Sequence, residues 1–224
     1  MGPLKPLLTA SFLLAAFTAL AQVAPPDTLK INGKDYVTVE VEASYPGGRS
    51  AWISFLEKNL DADVPIKNEA PIGKYTAIAL FVVDKDGSVS NVKAVTKFGY
   101  GMEDEVIRVI EHSGKWVPAI QNGKPLKAYR KQPVTFILES EDFNITTQQP
   151  FTLSVNKDNE IIVTAKKTKP ADISIQVAGG KATTMGDGKF SVRVNKTGRI
   201  TITVVNNKKD DKEIGVASFE VVAN

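Results

Sequence analysis

Few residue types in this chain could do chemistry, and their spacing limits what they could do. His112 is the only histidine, it directly follows Glu111, and there is no cysteine. At the end of an apolar-periodic segment an imidazole reads as a partner for a helix C-terminus rather than as a base. That sets aside the usual zinc sites and the Ser-His and Cys-His nucleophiles. Asp84 and Asp86 could begin a calcium loop, but Lys85 and Gly87 fit a tight turn, and no glutamate follows at the twelfth loop position. The carboxylates of Glu139-Ser140-Glu141-Asp142 fall in a polar run, where no pocket is expected around them. The expectation is a protein that is not an enzyme, with no cofactor, no metal and no small-molecule substrate.

Binding chemistry has a stronger basis. Lys127, Ala128, Tyr129, Arg130, Lys131 and Gln132 precede Pro133, and the apolar alternation Val134, Phe136, Leu138 follows. Proline cannot donate to a ladder, so this strand belongs at a sheet edge or carries a bulge. Lys127, Arg130 and Lys131 are the kind of charge that keeps an open edge from pairing indiscriminately. The same arrangement can accept an extended peptide as an added strand, so Lys127–Gln132 is the candidate peptide-binding stretch.

The elements that must position this stretch lie between Tyr75 and Leu138. Thr76–Val83 is apolar on both alternating faces, which predicts a strand covered on both sides. Asp84-Lys85-Asp86-Gly87 supplies an antiparallel turn. Met102, Val106, Val109 and Ile110 recur at helical spacing, with Glu103, Asp104 and Glu105 in the first turn and Gly114 at the stop. A strand around Val134–Leu138 closes a strand–strand–helix–strand unit. Upstream, Pro46-Gly47-Gly48 introduces a helix over about 50–60 with Ala51, Trp52, Phe55, Leu56 and Leu60 as its apolar stripe. Trp116 reads as a core plug whose indole N–H needs a partner.

This order, with Phe81–Val92 (FVVDKDGSVSNV), Gly99–Glu103 (GYGME), Lys115–Ala119 (KWVPA) and Ala128–Phe136 (AYRKQPVTF), resembles the C-terminal domain of the TonB family. The likeness is to the form common in exported proteins of Bacteroidetes-like bacteria. It covers roughly residues 40 to 138, under half of the 224-residue chain. The resemblance implies helices packed on a small antiparallel sheet, and docking of a short segment of an outer-membrane transporter by strand addition. It also implies that the recognised peptide carries an acidic residue.

The chain is long enough for one large domain or two small ones. Its 42% hydrophobic and 24% charged composition suits a packed core. A net charge of +3 is too small to argue for nucleic acid. Met1–Ala21 reads as a signal peptide, with Lys5 as its charged start, Leu7–Leu20 as its apolar run and Ala19-Leu20-Ala21 before a cut at Gln22. Its apolar run is short of the ~20 residues that span a bilayer. Residues 22–40 are expected to be a linker and a short hairpin turned by Asn32-Gly33. Asp27-Thr28-Leu29 also matches a short O-glycosylation motif, although an ordinary linker explains it as well.

Beyond residue 138 the texture changes. Residues 139–150 read as a linker. From Phe151 to Asn224 short alternating strands are separated by turn clusters, which predicts an all-β, immunoglobulin-like sandwich. The expected strands are Phe151–Val155, Ile161–Ala165, Ile173–Val177, Phe190–Val194, Ile200–Val204 and Val216–Val221. The fold class is α+β for residues 41–138, followed by all-β for 151–224. The functional expectation is a periplasmic adaptor that docks an outer-membrane TonB-dependent transporter or another envelope protein. A homodimer is compatible with it. The alternatives are a genuine energy transducer held by an uncleaved inner-membrane anchor, and a structural or surface assembly protein.

Overall fold

The computed structural model describes residues 29–31, 34–36 and 39–223. The expected signal segment and Asp27-Thr28 lie outside them. The architecture is α+β. Strands β1 (Leu29–Ile31) and β2 (Lys34–Tyr36) pair antiparallel, with Leu29 opposite Tyr36. The rest divides into two compact units. One holds Thr76–Thr135 with the described residues up to Asn68; the other holds Glu69–Tyr75 and the residues from Phe136 on.

In the first unit, helices α1 (Gly48–Asn59) and α2 (Val64–Lys67) precede β3 (Ile72–Val83), which belongs to this unit from Thr76 onward. Then come β4 (Val89–Ala94), α3 (Met102–Glu111), the hairpin β5 (Ala119–Gln121) and β6 (Lys124–Leu126), and finally β7 (Ala128–Leu138), which belongs to this unit up to Thr135. Strand β3 pairs with both β4 and β7. Ala79–Val83 are all buried, as an apolar run covered on both faces requires. Farther back, Thr76 and Ile78 are only half-buried, so the double covering is confined to the C-terminal part of β3. An aromatic group packs α1 against this sheet. Trp116 lies 5.0 Å from Phe81, 5.3 Å from Trp52 and 5.7 Å from Tyr45 between ring centroids, and Phe55 stacks on Trp52. The Trp116 indole N–H donates to Ser113 Oγ at 2.8 Å, while Trp52 Nε1 is buried with no hydrogen-bond partner among the described residues.

Helix α3 starts where the sequence said it would. Gly101 takes the left-handed conformation, and a Cβ there would collide with Val64 and Asn68 of α2 and its C-cap. The Glu103 carboxylate reaches back to accept the N–H groups of Phe98 and Gly99 at 2.7 and 3.2 Å, a capping interaction that also suits the helix dipole.

The second unit holds β8 (Phe143–Thr146), β9 (Thr152–Ser154), β10 (Asp158–Ala165), β11 (Ile173–Val177), β12 (Gly180–Gly186), β13 (Lys189–Val194), β14 (Gly198–Asn206) and β15 (Lys212–Val222). One sheet runs β12-β13-β10-β8. In the other, β11, β14 and β15 are neighbours in that order, and β9 pairs in parallel with β15. Both sheets feed one hydrophobic cluster, including Phe143, Ile145, Ile161 and Phe190 from the first and Ile173, Ile202, Phe219 and Val221 from the second. Each such buried side chain contributes about 1.5–3 kcal/mol of burial free energy. Beside β9, the start of β3 also pairs in parallel with β15, Ile72 opposite Ala217 and Gly73 opposite Ser218. Arg199 closes this join, donating to Lys74 O and Ser218 Oγ at 3.0 Å each and lying 4.5 Å from the centre of the Tyr75 ring.

Two strands of this unit were not expected. The stretch read as a linker, 139–150, contains β8, whose Phe143 and Ile145 are buried while Asn144 and Thr146 are exposed. Its alternation is only four residues long and is flanked by carboxylates and glutamines. Strand β12 is exposed at every position after Gly180, so it has no inward face for a pattern to record.

Candidate functional site

The geometry of β7 follows from its contacts with β3. Thr76 and Thr135 hydrogen-bond through their Oγ1 atoms at 3.0 Å, and Lys127 Nζ meets Asp84 Oδ2 at 3.0 Å. Both contacts join a later position on one side to an earlier position on the other, Thr76 with Thr135 and Asp84 with Lys127, as an antiparallel pair with Thr76 opposite Thr135 would. Ile78 gives its main-chain groups to the β4 side, its N–H donating to Thr96 Oγ1 and its carbonyl accepting from Val95 N–H. Main-chain direction alternates along a strand, so Thr76 is also turned away from β7, and its opposite residue Thr135 is turned away from β3. By the same alternation Pro133 and Lys131 face the open side of β7, and Ala128, Arg130 and Gln132 face β3.

Two independent features agree with this direction. Pro133 has no N–H to lose on the open side. Its carbonyl accepts the Gln132 side-chain amide at 3.2 Å, as a group without a ladder partner can. Among the described strands β7 pairs only with β3, so β7 is an edge strand.

The structure sorts the six candidate residues. Lys127 is exposed but paired with Asp84. Ala128 and Tyr129 are half-buried. The Arg130 guanidinium is paired with Glu42, its side chain is 27% exposed, and its Nε is buried with no hydrogen-bond partner among the described residues. Lys131 is exposed and makes no ion pair among the described residues. Gln132 caps Pro133. Of the three cations expected to serve the edge together, two are engaged by carboxylates of this chain and Lys131 is left.

The turn that leads out of β3 is tightly built. Hydrogen bonds from Ser88 Oγ and N–H to Asp86 Oδ1, and the ammonium of Lys115, hold the Asp86 carboxyl well below the usual carboxylate range. The Lys85 N–H and then Lys127 lower Asp84 in the same sense. These carboxylates thus serve the turn and its lysine partners. His112 caps α3, with its Nδ1 2.7 Å from Arg108 O.

Sequence reasoning missed the pair Glu105 and Arg108. Glu105 is buried and accepts from Arg108 Nε at 2.7 Å, Arg108 Nη2 at 2.6 Å and Asp61 N–H at 2.7 Å, while Arg108 Nη2 also donates to Asn59 O at 2.6 Å. The three-residue spacing on a helix was the available signal. The pair ties α3 to the C-terminal end of α1.

The carboxylate run at 139–142 differs from expectation. A groove of about 420 Å³ is lined by Ile72, Glu139, Ser140, Asn144, Ile145, Thr146, Thr147, Pro150 and Phe151. No pocket was expected because the run was read as linker; of its residues Glu139 and Ser140 line the groove.

Residues 76–138 match the family described as Gram-negative bacterial TonB protein C-terminal. This is a family of energy-transducing or binding domains of the cell envelope, not of enzymes. The match begins at Thr76 and ends with β7 at Leu138. No curated protein matches the chain. Among the described residues no helix is long and apolar enough to cross a membrane.

Proposed function

We propose that the chain is a periplasmic binding adaptor whose β7 edge takes an extended peptide of an outer-membrane transporter, or of another envelope protein, by strand addition. The observation that carries this reading is the open side of β7, where the main chain of Lys131 faces outward beside an exposed ammonium. The family match over residues 76–138 supports a protein-interaction role for the same segment. Main-chain bonds would supply affinity, and Lys131 would favour a peptide with an acidic residue. Pro133, with no donor and with its acceptor occupied by Gln132, ends the ladder and so sets where the peptide stops.

The second unit we read as an immunoglobulin-like sandwich that makes a second contact. Its strand order supports this. In sequence order the first, third, sixth and fifth strands share one sheet, and the fourth, seventh and eighth share the other, as in that fold.

The test is binding of a labelled extended peptide containing one glutamate, measured beside thermal stability. Lys131→Pro removes an outward N–H and should abolish binding with little loss of stability. Ala128→Pro removes an inward N–H and should lower stability instead. Wild-type affinity in a folded Lys131→Pro variant would place the docking site elsewhere.

A further inference from the structure

Among the described strands β12 pairs only with β13, so it ends its sheet. The direction of its main chain follows from β13. The Val194 carbonyl accepts the Asn156 N–H at 2.7 Å, and the Val192 carbonyl accepts the Asn159 side-chain amide at 3.1 Å, so Val192 and Val194 turn toward β10. The Gly188 carbonyl, accepting the Val163 N–H at 2.8 Å, fits the same alternation. Ser191 and Arg193 therefore face β12, where Thr183 and Lys181 stand opposite them. Ala182 and Thr184, opposite Val192 and Phe190, turn their N–H and carbonyl groups to the open edge. Both are exposed, and among the described residues neither makes a main-chain bond on that side.

This edge lacks the usual guards. Ala182-Thr183-Thr184-Met185 holds no charge and no proline, and Met185 is 57% exposed. Charge stands only at the two ends: Lys181 before that run, and Asp187, the first residue of the turn into β13, after it. Both are exposed, and neither makes an ion pair among the described residues. Along the strand the edge is positive, neutral, then negative, and such an edge complements itself when turned end for end. With a two-fold axis at Thr183, Ala182 comes opposite Thr184 of a second copy and exchanges main-chain bonds with it. Lys181 comes opposite Met185 of that copy, whose thioether its stem can cover, and reaches Asp187 of that copy on the diagonal. Symmetry repeats each of these contacts on the other side of the axis.

We propose that β12 is the contact between two copies of this chain, joined antiparallel about Thr183 so that the four-stranded sheet of one copy continues into that of the other. Lys181 and Asp187 fix the register. Because both are exposed, the association weakens with salt. The inference stands on β12 and does not depend on what β7 binds.

The chain has no cysteine, so a single introduced thiol reports the axis. Two Thr183 residues on the axis would have Cα atoms about 4.5 Å apart, within disulfide reach. Two Met185 residues would be about 14 Å apart, beyond it. Under mild oxidation the full chain carrying Thr183→Cys should crosslink at least about tenfold faster than the chain carrying Met185→Cys. In sedimentation the unaltered chain should show a monomer–dimer equilibrium that shifts toward monomer as salt is raised. Thr183→Lys, a change at an exposed position, sets like charges against each other on the axis; it should weaken the dimer about tenfold at low salt and preserve the melting temperature. A chain that stays monomeric up to its solubility limit, or equal crosslinking at the two positions, would overturn the proposal. So would a dimer that Thr183→Lys leaves unchanged.

Discussion

Gly87 and Trp116 meet backbone to backbone. The Trp116 N–H donates to Gly87 O at 2.9 Å, and a Cβ on Gly87 would overlap the Trp116 carbonyl oxygen. Gly87 also has φ +85°, which an L side chain rarely adopts. Gly87→Ala should therefore cost about 2–4 kcal/mol, combining backbone strain with a clash that only movement of the main chain can relieve. Gly123→Ala, at φ +69° with open space around it, should cost only about 1 kcal/mol. Urea unfolding of both variants measures the difference, and equal losses would contradict the contact.

Removing Arg108 should be more damaging than removing Lys67. Lys67 and Asp61 form an exposed pair, 63% and 44% accessible, of the class that contributes little. Arg108→Ala instead strands the Glu105 carboxylate, which is only 7% exposed, with the Asp61 N–H as its remaining partner. The expected loss is about 2–3 kcal/mol for Arg108→Ala, and Lys67→Ala should change stability far less. Denaturant midpoints at neutral pH test this ranking.

Acid should weaken the first unit in a defined window. Asp61 is lowered by the Lys67 ammonium and the Asp63 N–H, Asp84 by the Lys85 N–H and Lys127, and Asp86 by Ser88 and Lys115. Carboxyls depressed in the folded state stabilise it above their unfolded values, near pH 4, and lose that contribution as the pH falls through their folded values. The melting temperature should not change on account of these groups between pH 7 and 5, where their contribution is fully present, and should fall below pH 4. Salt should shrink the effect, because all three groups are exposed.

The second unit should need β8. A fragment of residues 139–224 retains Phe143 and Ile145 in the hydrophobic cluster, and a fragment of 150–224 loses both. Large buried side chains cost about 2–5 kcal/mol each when truncated, so the shorter fragment should be unfolded where the longer one melts cooperatively. Circular dichroism on both fragments decides it, and equal stability would return 139–150 to the linker first expected.

What could be read in advance depended on whether a residue's role left a periodic trace. The burial of Ala79–Val83, the α3 stripe and the edge character of β7 at Pro133 were legible, because pleat, helical pitch and the missing proline donor act on local sequence. The α2 helix, Val64–Lys67, was not, since four residues carry no period. At the candidate edge the residue types were legible and their engagement was not. Arg130 and Lys131 are adjacent cations of equal promise in sequence, but only tertiary structure brings Glu42 to one of them. Strand β8 was hidden for a different reason: the neighbouring carboxylates signal solvent, and four residues carry too short an alternation to outweigh them.

The parallel join between Ile72 and Ala217 has a consequence for the order in which the protein can be completed. The main-chain groups at the start of β3 are synthesised well before their β15 partners at Ala217 and Ser218. Growing from the N-terminus, the polypeptide must carry that strand end unpaired while all the intervening strands are made. Closing such a long loop before its contacts reward the ordering is slow. The segment at residues 69–75 is therefore completed only when β15 arrives, and removal of β15 would reach back to unsettle it.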